Sequence, residues 1–141
     1  MKTFFHQNES DGDDLSAQIQ SACDGLVYVS ETDAPVTSFR PSETSAEESL
    51  AILAELGRAD SEPVETIDFN RFFGKLTSVK DWFDAAHKER AHRFLKLQRL
   101  LEAHLSDLTV LRAGEVRLDI VVIGTDKNGR LMGIRTAAVE T

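Results

Sequence analysis

The chemically reactive side chains are few and scattered. Four histidines occur, His6, His87, His92 and His104, with no HExxH pattern among them. His87 and His92 are five positions apart, roughly 140° around a helix, so they do not chelate a metal from one face. The single cysteine, Cys23, excludes a disulfide framework and a cysteine-based zinc site. It falls near the expected end of a helix, where the dipole disfavours a thiolate, so it makes a poor nucleophile. No glycine-rich phosphate loop is present. "DKNG", residues 126–129, starts like a calcium loop but lacks the remaining ligands. A hairpin turn explains it. These residues point away from an enzyme and from a cofactor held by the chain itself.

The other end of the chain is more suggestive. It closes on "RTAAVET", with Arg135 to Val139 reading as strand, followed by Glu140 and Thr141 alone. Terminal residues usually trail into poorly ordered polar segments. A carboxylate within two residues of a strand is instead a candidate for a positioned charge. On the predicted long helix, Lys88, Arg93, Lys96 and Arg99 lie near one side. They read as a solvated face or, less favourably, as phosphate contacts. No aromatic stacking set accompanies them.

Charge separates the two halves. Residues 1–70 carry 15 acidic and 3 basic side chains; the remainder carry 9 acidic and 13 basic, for a net charge of −8. An acidic half repels nucleic acid and attracts basic proteins. A length of 141 residues suits one domain, and 41 % hydrophobic residues supply a core. The longest apolar run, "DIVVIG", is too short to span a bilayer. The leader "MKTFFHQNESDGDD" lacks the apolar stretch of a signal peptide. A flexible leader over 1–12, one domain over 13–141 and a cytoplasmic location are therefore expected. Neither a membrane nor a small-molecule partner is indicated.

Periodicity sets the framework that holds these residues. Asp13 or Asp14 can cap a helix through about Cys23, with Leu15 and Ile19 on one face. Asp24-Gly25 stops it. "LVYVS" reads as a buried strand, "ETDAP" as a loop ended by Pro35, and "VTSFR" as a second strand. Ser45-x-x-Glu48 is a capping box that predicts a helix over Ala46–Leu56, ended by Gly57. "VETID" is a short strand candidate and "FNRFFGKL" a helical turn or short helix. Ser78-x-x-Asp81 is a second capping pattern, predicting the longest helix over Val79–Leu105, with Phe94, Leu97, Leu101 and Leu105 as its core stripe.

The last third reads as three strands with turns at Ala113-Gly114 and Asn128-Gly129. "LDIVVIG" is apolar on both faces, which predicts a central strand covered on both sides. The expected fold is α+β: a three-layer α/β/α sandwich around a mostly antiparallel mixed sheet.

Three stretches, "SACDGLVYVSETDAP", "VKDWF" and "GEVRLDIVVIG…GRLMGIRTAAVET", together resemble the nuclease A inhibitor family, small acidic proteins that bind a metal-dependent, sequence-nonspecific nuclease. The resemblance covers about residues 15–35 and 64–141; residues 36–63 match poorly. It implies a sandwich similar to the plant pathogenesis-related PR-1 proteins. It also implies a job for the end of the chain. Thr141 matches the C-terminal Thr that family members present to the nuclease's catalytic Mg²⁺, so any metal contact would be made through the partner. An α-carboxyl group has a pKa of roughly 3.5 and is charged at neutral pH. Carboxylate and hydroxyl oxygens are the hard ligands Mg²⁺ prefers. Glu140 is a neighbouring candidate. Glu31, in "VSETD", matches a family glutamate at the nuclease active site, against the alternative of a plain surface residue. Trp82 is similar to a family interface aromatic, against the alternative of a core Trp at a helix start. Lys80 departs from the pattern, standing where the family inhibitor has an amide side chain. The function implied is inhibition by capping the catalytic metal. The alternative is a non-enzymatic interaction module of the same fold with a different protein partner.

Overall fold

The computed structural model describes residues 14–41, 52, 56–58 and 63–141. A helix, α1, covers 14–23. Three short strands come next: β1 (Val27–Val29), β2 (Asp33–Pro35) and β3 (Thr37–Phe39). Then come β4 (Val64–Ile67), α2 (Phe69–Thr77), α3 (Ala85–His104), β5 (Ser106–Ala113), β6 (Arg117–Thr125) and β7 (Leu131–Val139). The leader and the predicted capping box at Ser45 and Glu48 lie outside the described residues. Of the helix predicted there, Ile52 is helical and buried, and Gly57 has the left-handed φ of +73° that suits a helix stop.

The main sheet has the order β3-β7-β6-β5-β4 and every pairing in it is antiparallel. β6 is therefore the middle strand, as its two-sided apolar run predicts. Alternation along it divides the core in two. Leu118, Ile120 and Val122 join one cluster with Leu15, Ile19, Phe73, Phe94, Leu97 and Leu101 of the helices. Val121 and Ile123 join a smaller cluster with Phe39, Leu111, Leu131 and helical Ile52. The architecture is thus mixed α+β: a five-stranded antiparallel sheet with an apolar cluster on each face, plus a separate two-stranded ribbon, β1-β2. Close approach of β6 and β7 is built on Gly133. A Cβ there would lie 1.7 Å from the Val122 carbonyl oxygen, a distance no side chain tolerates. Both predicted turns are present, with Gly114 at φ +112° and Gly129 at +79°. Asp126 Oδ1 accepts from the amides of Asn128 (2.8 Å) and Arg130 (3.0 Å), so "DKNG" is a hairpin turn.

Three expectations need correction. "ETDAP" contains a strand, because Val27, Tyr28 and Val29 pair with Pro35, Ala34 and Asp33. A three-residue strand ending in Pro has no periodicity to betray it. β1 itself is half-buried, not buried: Val29 is 48 % exposed, and only Leu26 before the strand is fully covered. α3 begins at Ala85, six residues later than predicted. Its cap is Asp84, whose Oδ1 accepts from the His87 amide at 2.9 Å. Ser78 instead closes α2, donating its hydroxyl to the Gly74 carbonyl at 2.7 Å. The core stripe stands: Phe94, Leu97, Leu101 and Leu105 are all buried.

No helix among the described residues is long and apolar enough to cross a membrane.

Candidate functional site

The ribbon β1-β2 carries the site. β2 runs through Val36 into β3, which pairs with β7 (Thr37 opposite Arg135). The ribbon therefore hangs from the sheet edge and lies beside the end of β7. It is tied there at several points. Thr136 Oγ1 donates to the Pro35 carbonyl at 3.0 Å. Ser30 Oγ accepts from the Val139 amide at 3.1 Å and donates to the Thr32 carbonyl at 3.1 Å. The Glu31 amide donates to the Val139 carbonyl at 3.3 Å. The β1-β2 turn is thus fastened to the last residue of β7, and Glu31 stands over the two residues beyond it.

Those two residues are held as well. The β6-β7 ladder ends at Arg117 opposite Val139. The Glu140 amide adds one more bond, to the Val116 carbonyl at 2.9 Å. Arg112 Nη2 meets Glu140 Oε1 at 2.6 Å. Thr141 is then gripped twice by one side chain. Its amide donates to Glu31 Oε2 at 2.6 Å, and its hydroxyl donates to Glu31 Oε1 at 2.8 Å. The Thr141 amide and then its hydroxyl hold the Glu31 carboxyl below the usual carboxylate range. Glu31 and Thr141 are 110 residues apart in sequence, and no spacing argument brings them together.

The other candidates sit around this corner. Trp82 lies in the loop between α2 and α3 and is 72 % exposed, so it is not a core residue. It packs edge-on against Phe83 (4.7 Å between centroids) and against His87 (5.4 Å). Phe83 and His87 line a groove with Val27 and Val29. This joins the Trp82 loop to β1, the strand that leads to Glu31. Val29, Val79 and Trp82 are exposed hydrophobic side chains. Lys80 is exposed, its carbonyl accepts from the Phe83 amide at 3.1 Å, and its ammonium has no ion-pair partner among the described residues.

Three residues that the sequence left open have a structural place. Arg93, from the basic row, is turned inward: its Nη2 donates to the carbonyls of Ala22 (2.9 Å) and Asp24 (2.5 Å), closing the end of α1. Cys23 is buried and burial pushes its thiol up to about 12, against a smaller pull from Arg93. His87 Nδ1 lies 2.7 Å from Asp84 Oδ1 at the helix start. Among the described residues no group of three His, Cys, Asp or Glu could hold a metal. Ser30 and Arg112 are the positioning residues that sequence reasoning missed. A serine directly before the candidate glutamate was the available signal for the first; nothing local marks the second.

The family of nuclease A inhibitor-like proteins matches residues 13–141. The chain belongs to this family. No curated protein matches it. The match spans both ends of the Glu31–Thr141 clamp and includes the 36–63 segment. It implies a nuclease partner for the chain.

Proposed function

We propose that the chain is a stoichiometric protein inhibitor of a metal-dependent, sequence-nonspecific nuclease, with no chemistry of its own. In this reading Thr141 meets the nuclease's catalytic Mg²⁺ with its hard oxygens. Glu31 is the backing residue, and Glu140 and Trp82 flank it. The fold in this reading is the PR-1-like three-layer sandwich, with buried Ile52 on the sheet face opposite α1, α2 and α3.

The observation that carries this reading is the double hydrogen bond from Thr141 to Glu31. A hydroxyl that donates to a carboxylate keeps its lone pairs free and gains electron density, which makes its oxygen a better ligand. Each Glu31 oxygen keeps a second acceptor site. The terminal residue is fixed before the partner arrives, so little ordering entropy is lost on docking. A terminal carboxylate, Glu31 and Glu140 gather negative charge at one corner, which suits a cationic site that normally holds phosphates. The Lys80 ammonium opposes a wholly basic partner surface and calls for an acceptor or an acidic residue opposite it.

The test is titration of a metal-dependent nonspecific nuclease with the protein at low and moderate salt. A sharp stoichiometric endpoint, with association slowed by salt, is expected. No inhibition of any such nuclease would leave the alternative, an interaction module with a different protein partner.

A further inference from the structure

We propose that the groove between β1, β4, α2 and β5 binds a small phosphate-class oxyanion through Arg71, Lys75 and Arg112. The groove has a volume of about 260 Å³ and is lined by these three cations together with Tyr28 and Phe72. That is close to the lower end of small-ligand sites, roughly 300 Å³, and large enough for a phosphate group with part of a small substituent.

Its cations are arranged to share an anion. Arg71 and Lys75 are four apart on α2, so they project from one face. Both are exposed, and neither has an ion-pair partner among the described residues. Arg112 approaches from β5. Its Nη2 is held by Glu140, yet its Nε is buried with no hydrogen-bond partner. A buried unpaired donor on a charged group costs free energy, of the order of 1–3 kcal/mol for a typical group and more for a charged one. A guanidinium offers five donors in a fixed fork, so Arg112 can keep Glu140 through Nη2 and offer its other Nη donors to a phosphate oxygen.

Two carboxylates, Asp68 and Glu65, also line the groove. Asp68 is spent on the α2 cap, its Oδ2 accepting from the Arg71 amide at 3.0 Å. Glu65 faces Arg112 across the β4-β5 ladder but is exposed. The wall is apolar and polar at once: the Tyr28 and Phe72 rings stack with centroids 5.9 Å apart and planes 7° apart. Burial raises the pKa of the Tyr28 phenol, Arg112 pulls it back and Glu140 adds to the rise, so the hydroxyl stays a neutral donor at the groove floor.

The groove shares Arg112 with the Thr141 corner through the Arg112–Glu140 pair, but the phosphate reading does not depend on how that corner is read. The shared chemistry is the phosphoryl group, which could arrive as free phosphate or on a nucleoside monophosphate. The test is NMR of the full chain, following the Arg112 Nε–H signal during titration with inorganic phosphate and, separately, with adenosine monophosphate. Sodium chloride at matched ionic strength is the control. A saturable shift with phosphate, weakened at least tenfold in an Arg71→Gln/Lys75→Gln variant, is expected. Both side chains are exposed, so folding should be unchanged. Tighter binding of the nucleotide would support the proposal with a nucleotide as source; equal binding would support it with bare phosphate. A shift that chloride reproduces, no saturable shift with either ligand, or saturation unchanged in the double variant would overturn it.

Discussion

The Glu31 carboxylate grips the Thr141 backbone amide and hydroxyl together, with Oε2 on the nitrogen at 2.6 Å and Oε1 on Oγ1 at 2.8 Å. A two-point grip fixes both position and rotation of the last residue. A single hydrogen bond would fix neither. Glu31 is itself placed by backbone, since its amide donates to the Val139 carbonyl. The corner is therefore a short closed circuit of the β1-β2 turn, the end of β7 and one carboxylate.

Removing the carboxylate should free the tail without unfolding the protein. For Glu31→Ala, nuclease inhibition is expected to weaken roughly ten- to hundredfold, as for other central polar contacts, while thermal unfolding is nearly unchanged. Hydrogen exchange at the Thr141 amide should accelerate. Unchanged affinity in this variant would remove Glu31 from the site.

The clamp should be acid-sensitive in a defined direction. The Glu31 pKa is depressed below its ordinary value of 4.5 in the folded protein, chiefly by the Thr141 amide. A depressed carboxylate contributes its stabilisation above the unfolded pKa and loses it as pH falls through the folded pKa. The tail should therefore stay fixed throughout the neutral and mildly acidic range and loosen only below pH 4.5. Following the Thr141 amide resonance against pH checks this. A midpoint above the ordinary value of 4.5 would mean that the hydrogen bonds do not hold in solution.

How much of this was legible in the sequence depended on whether a signal was local. The central position of β6 followed from apolar residues on both faces of "LDIVVIG", and the hairpins followed from Gly114 and Gly129. The start of α3 did not, because Ser78 and Asp84 are both capping residues and only tertiary packing decides between them. Here Ser78 bonds backward to Gly74. β2 escaped notice because three residues ending in Pro carry no pattern. At the site, resemblance alone paired Glu31 with Thr141. The physical reason for the pairing, a ribbon folded beside β7, is a non-local property that no spacing encodes. Arg112 was invisible for the same reason: its partner Glu140 is 28 residues away, just past the end of another strand.

Ser30 should matter more than its size suggests. Its hydroxyl bonds both the Val139 amide and the Thr32 carbonyl. For Ser30→Ala the Val139 amide loses its partner, so a destabilisation of about 1 kcal/mol and weaker inhibition are expected together. Denaturant melts and nuclease titration measure the two. Full inhibition in this variant would show that the ribbon does not position Glu31.

Trp82 should separate binding from stability. At 72 % exposure its truncation is expected to change unfolding free energy by about 0.5 kcal/mol or less while weakening the nuclease complex, as buried interface aromatics do. A large stability loss with unchanged binding would return Trp82 to a structural role.

Gly133 is the reverse case. In Gly133→Ala the new Cβ would collide with the Val122 carbonyl oxygen, in the middle of the β6-β7 pairing that carries the whole tail. A loss of roughly 3 kcal/mol or more is expected, seen as a sharply lowered unfolding midpoint. A variant as stable as the parent would contradict the close approach of these strands.

The most direct measurement is inhibition of a metal-dependent nonspecific nuclease by the chain with one glycine added after Thr141. The added residue leaves the Glu31–Thr141 hydrogen bonds possible but moves the terminal carboxylate and places backbone where the metal would sit. Loss of the stoichiometric endpoint, with folding and the Thr141 amide signal preserved, is the predicted result. Undiminished inhibition by the extended chain would contradict capping of the metal by the terminal residue.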